Sequence, residues 1–63
     1  MEQNNLYNLM HQLTQESKSL WRINNNYLDE SLTDEEKAFW KKLAEDKESH
    51  ITELKSLIKK HLN

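Results

Sequence analysis

The chain has 63 residues, 11 acidic against 9 basic side chains, a formal charge of -2, 35% hydrophobic residues, and no Gly, Pro or Cys. That length holds one domain with a marginal core, and without cysteine no disulfide can staple it. The charge balance excludes the basic stripe of a nucleic-acid binder, and no apolar run nears the roughly 18 residues of a membrane span. No secretory h-region follows Met1, so a cytoplasmic protein is the expectation.

The missing Gly and Pro point to helices. Hairpin turns between strands lean on Gly, Asn or Asp, and sheets are rich in β-branched residues. Val is absent here, and the β-branched set is three Ile and three Thr, whereas Leu occurs ten times and Lys and Glu fill much of the rest. Those are helix formers, and the expected fold class is all-α.

The first helix is expected over about residues 4–29. Leu6, Leu13, Leu20 and Tyr27 recur at intervals of seven, with Met10 in a d-like position between the first two. Leu9 and Ile23 line one edge of that seam, and Tyr7, Trp21 and Leu28 the other. The stripe is wider than one partner helix can cover. Asn24-Asn25-Asn26 is its weak stretch, because asparagine side chains compete for nearby backbone. An ending at Asn24 is the alternative to one near Asp29.

A connector over about residues 30–33 has the length typical of antiparallel helix neighbours. Thr33 followed three residues later by Glu36 is a capping box, and Asp34, Glu35 and Glu36 suit the positive end of a helix dipole. The second helix then runs over about 34–62, closing on Lys59, Lys60 and His61. Trp40, Leu43, Leu54 and Leu57 take its a and d positions, with Phe39, Ala44, Ile51 and Ile58 widening the face. Lys47, His50 and His61 fill the remaining a/d sites. Lys41/Glu45 and Lys42/Asp46 have the i,i+4 spacing of ion pairs on a solvated face, each contributing a few tenths of a kcal/mol at best.

The implied architecture is an antiparallel two-helix hairpin spanning residues 1–63. Both helices present faces too wide for a single neighbour, so two hairpins are expected to pair about a two-fold axis as a homodimeric four-helix bundle. A different helical protein docking on the same stripe is the alternative partner.

Three ionisable residues interrupt the stripe. Glu16 lies in line with Leu9 and Ile23, and in a hairpin turning near residue 31 it meets the Lys47/His50 turn. Buried charges are costly unless paired. The residues allow a salt bridge from Glu16 to Lys47 or His50 that sets the register. They also allow a metal site of Glu16, His50 and Asp46 doubled by a dimer axis, or side chains that snorkel to solvent. His11 and His61 are expected on the surface.

The run Leu43-Ala44-Glu45-Asp46-Lys47-Glu48-Ser49-His50 resembles the ligand helix of ferritin-like and rubrerythrin-like proteins, whose pattern is Leu-Ala, two residues, then Glu-x-x-His. Glu16-Ser17-Lys18-Ser19 is similar to the segment carrying that family's lone ligand glutamate. The likeness covers about residues 10–55 and implies a half-bundle with iron or zinc at the core of a dimer. Lys47 departs from it, standing where the family has a bridging glutamate. An ammonium cannot bridge two metal ions, so the resemblance implies that the di-iron oxidase chemistry is lost.

No nucleophilic cysteine, glycine-rich phosphate loop or triad is present. The balanced polar face is unlike the Lys/Arg-rich face of a membrane-surface helix. The sequence therefore reads as a structural or interaction module without catalytic activity, with ferritin-like metal binding as the alternative.

Overall fold

A computed structural model describes residues 2–62 of the chain, and over them the protein is all-α. Helix α1 (Glu2–Arg22) passes into a π-helical stretch (Ile23–Tyr27) and a final turn, α2 (Leu28–Glu30). After residues 31–33 the chain reverses into α3 (Asp34–Leu62). α1 packs along α3, with Glu16 meeting Lys47 and His50 and Tyr27 meeting Trp40, so the two run in opposite directions. The molecule is a rod of 45 × 14 × 14 Å. Among the described residues, no helix is long and apolar enough to cross a membrane.

The turn is built by its cap. The Thr33 hydroxyl accepts from the Glu36 amide at 3.0 Å, and Glu36 Oε1 accepts in return from the amides of Thr33 at 3.1 Å and Leu32 at 2.8 Å. Two backbone donors that the start of a helix would leave unpaired are thereby satisfied, together with the amide of Leu32 just before it.

The seam between the helices is one position out of phase with the sequence expectation. In α1 it follows Leu6, Leu9, Leu13, Glu16, Leu20 and Ile23, in steps of three and four, and Ile23 is almost wholly enclosed at 1% exposure. Met10, assigned a d-like place, is 52% exposed. In α3 the seam follows Trp40, Ala44, Lys47, Ile51, Leu54 and Ile58, leaving Leu43 half-buried and Leu57 exposed on its flank, with His50 beside them. Both choices of stripe are rich in apolar residues. The one adopted buries Ile23 and half-buries Ile51 and Ile58, whose stiff side chains lose little rotamer freedom on burial. It also uses Ala44, which lets the backbones approach. The surface pairs Lys41/Glu45 and Lys42/Asp46 do not close to ion-pair distance among the described residues, which fits the small gain such pairs offer in water.

Helical geometry carries past Asn24 to Glu30, with the Asn run inside the π stretch. There the Leu28 amide reaches back five residues to the Ile23 carbonyl. That wider turn rotates the residues beyond it about the helix axis. Leu28 comes beneath Ile23 as a half-buried residue, and Tyr27, expected to continue the seam, moves to its flank against Trp40 at 4.8 Å between ring centres. Side chains supplement the loosened ladder: Asn25 Nδ2 donates to the Trp21 carbonyl at 2.8 Å and the Ser31 hydroxyl to that of Tyr27 at 2.7 Å.

Thr33→Ala removes the cap acceptor and should lower stability by about 1 kcal/mol. Urea denaturation followed by circular dichroism measures it, and an unchanged midpoint would show that the cap contributes nothing to the start of α3.

Candidate functional site

Midway along the seam, Glu16 is the only buried charged side chain among the described residues, at 9% exposure. The three/four spacing of α1 that brings in Leu13 and Leu20 necessarily brings in position 16 between them. Its carboxylate is met entirely by α3. Lys47 Nζ lies 2.7 Å from Oε2 and His50 Nδ1 lies 2.8 Å from Oε1. Lys47 and His50 stand three apart on one face of α3, so both reach one acceptor from successive positions of the same turn. Lys47 keeps its stem in the seam, whereas the His50 ring is more than half exposed.

The Glu16 pKa is pulled below its ordinary value of 4.5. The hydrogen bond from the Lys47 ammonium is the chief cause. Burial opposes it by penalising the charged carboxylate, and the His50 hydrogen bond and the charges of Lys47 and His50 add to the lowering. Among the described residues, no buried side-chain polar atom lacks a partner.

Of the three residues considered as metal ligands, the fold joins two. Glu16 and His50 touch, while Asp46 is exposed and makes no side-chain hydrogen bond to either among the described residues. No group of three His, Cys, Asp or Glu side chains converges there or elsewhere among the described residues. Within one chain this donor set does not fit a di-metal centre: each Glu16 oxygen already accepts a hydrogen bond, one of them from an ammonium at the position where a ligand glutamate would stand. His11 is exposed and stacked on Tyr7 with ring centres 6.0 Å apart, and His61 is exposed. An open cleft of about 240 Å³ at the turn is lined by Tyr27, Leu32, Glu36 and Trp40, but its Glu36 carboxylate is committed to the cap.

The second feature is apolar. Tyr7, Met10 and Trp21 of α1 and Phe39 and Leu57 of α3 are all large and exposed. The sequence placed Met10 and Leu57 inside; the structure puts them on the flanks. The one-residue phase choice decides this, and periodicity alone cannot make it.

Comparison with protein-family profiles, with curated proteins and with solved structures finds no match to this chain.

Lys47→Met should destabilise the fold by about 1–3 kcal/mol, because His50 alone is left to satisfy a buried carboxylate. Adding Glu16→Leu should recover most of the loss, since apolar replacements of a buried pair are often neutral or better. A double-mutant cycle with no coupling would mean that the ion pair is energetically idle. The lowered pKa also has a sign. Stability from the ionised Glu16 is complete above its ordinary value and is lost as pH falls through the folded value. The stability gap between the wild type and Glu16→Gln should therefore be largest near neutrality and shrink under acid, as read from melts over a pH series. A gap that widens under acid would contradict the assignment.

Proposed function

We propose that the protein is a small structural or interaction module without catalytic activity: a helical hairpin that pairs with a second copy as a four-helix bundle. The observation that supports this most is the open surface. The chain exposes 5250 Å², whereas a compact monomer of 7.6 kDa exposes about 4,300 Å² by the usual size scaling. The excess is roughly 950 Å², slightly more than the ~800 Å² that each partner contributes to a stable interface. Tyr7, Met10, Trp21, Phe39 and Leu57 are large apolar side chains left exposed, of the kind that a covered surface uses. The polar cluster supports the non-catalytic half of the reading, because its charges are spent on one another.

Sedimentation equilibrium from high to low micromolar concentration should give a dimer that dissociates on dilution, with helicity falling in parallel. A fully helical monomer whose melt ignores concentration would refute the pairing.

The iron or zinc alternative draws support from one contact. With Nδ1 held by Glu16, the other ring nitrogen of His50 is the free ligand atom, the arrangement that orients histidines at metal sites. Lys47 stands against it. On the module reading, Zn²⁺ or Fe²⁺ leaves the melting temperature of tag-free protein unchanged, while a rise would favour the metal reading. Lys47→Glu, which restores Glu-x-x-His, is the variant in which such a rise should be largest.

A further inference from the structure

We infer that the second copy docks on one side of α3, against Phe39, Leu43, His50 and Leu57, with the two-fold axis passing beside His50; the inference rests on the pairing proposed above. The seam of α3 has two flanks. On one, Lys41, Glu48 and Lys55 repeat every seven residues; on the other, Leu43, His50 and Leu57 do. The seam of α1 likewise has a polar flank of Asn5, Gln12 and Ser19. Its opposite flank carries Met10 and Ser17, with Tyr7 and Trp21 farther round. Seen from one end, residue numbers wind clockwise in one helix and counter-clockwise in its antiparallel neighbour. The apolar flank of α1 follows its seam and that of α3 precedes it, so the two lie on opposite sides of the rod. Each side therefore offers one helix, not two, to a partner, so the four helices of the pair stand with the two α3 helices innermost and the two α1 helices outside.

Of the two sides, that of α3 is continuous with the existing core. Leu43 is half-buried and Leu57 44% exposed, each adjoining the seam residues Ala44, Leu54 and Ile58, and Phe39 extends the strip against Trp40 with ring centres 5.2 Å apart. On α1 the row next to the seam is Met10, Ser17 and Asn24, which separates Tyr7 and Trp21 from the core. The α3 row also has a register. Leu43 and Leu57 stand seven residues to either side of His50. An antiparallel contact between two α3 helices centred on position 50 sets Leu43 of each copy against Leu57 of the other. It brings the Lys60 stem of each toward the other's Phe39, a favourable cation–π approach. It also brings Asp46 toward Glu53 of the other copy, but both are exposed at the rim, where water and salt weaken the repulsion.

The absence of cysteine makes the test direct, because each introduced thiol is unique. His50→Cys should form a disulfide-linked dimer under oxidised glutathione at protein concentrations where the wild type sediments as a dimer. Thr14→Cys, midway between Tyr7 and Trp21 on the opposite side, should remain uncrosslinked. Leu57→Glu should raise the dimer dissociation constant about 100-fold or more, and Trp21→Glu by less than about threefold, each with helicity checked by circular dichroism. If the wild type is a dimer but the crosslink forms in Thr14→Cys, or in neither cysteine variant, the α3 interface is overturned while the pairing stands. A wild-type monomer at every concentration overturns the pairing itself.

Discussion

The carboxylate of Glu16 is the constraint around which the two helices are arranged. A negative charge at 9% exposure must be met by donors from the facing helix, and α3 supplies two from a single turn. Sliding α3 by one turn, about 5.4 Å, would carry Lys47 and His50 out of reach and leave the carboxylate unpaired. Leucine contacts tolerate such a slip because one branched side chain replaces another. The charged group does not, so in a seam whose apolar members are Leu, Ile, Ala and Trp40 it distinguishes one register from its neighbours. Lys47 suits the task because its long stem lies along apolar surface while its head group reaches the acid.

How far the sequence discloses this arrangement differs from element to element. Absent Gly, Pro and Val, together with the Leu/Lys/Glu surplus, are enough for an all-α chain. Thr33 and Glu36 are legible because a capping box is a local device whose partners lie three residues apart. The meeting of Glu16 with Lys47 and His50 is legible too, since three ionisable residues at core phase on two helices of similar length have few other places to go. The seam phase is not legible in the same way. Both stripes that differ by one residue are apolar, and which is enclosed depends on how Ile23, Ala44 and Ile51 interlock across the pair, a tertiary property that no single-helix pattern contains. Met10, Leu43 and Leu57 moved to the flanks for that reason.

The π stretch shows the same limit from another side. Three consecutive asparagines advertise a strained helix, but not whether the strain ends it or widens it. What tips the balance is packing beyond the stretch. Widening by one residue lets Leu28 join Ile23 in the seam and lets Tyr27 lie against Trp40, which a helix ending at Asn24 would forfeit. The tip of the rod is consequently held on both sides: the cap fixes the start of α3, and an aromatic pair joins it to the end of the preceding helix.

These features separate the chemistry of the interior from the use of the surface. Had Glu16 faced an apolar residue, it would have needed a cation from outside, whether a metal or a partner's side chain, and the seam would be where a ligand acts. Lys47 removes that need by closing the charge balance within one chain, and His50 occupies the second oxygen. What stays unsatisfied is apolar: Phe39, Leu57, Met10 and Trp21 in water on a rod 14 Å across, too thin to enclose them. Water opposes that exposure at about 25 cal/mol per Å², and the described residues hold no second layer that covers it. The proposed α3 contact would cover Phe39 and Leu57 and leave Met10 and Trp21 in water. On this reading the ion pair keeps each copy in register, so that the apolar row on the flank of α3 keeps the spacing a second copy must match.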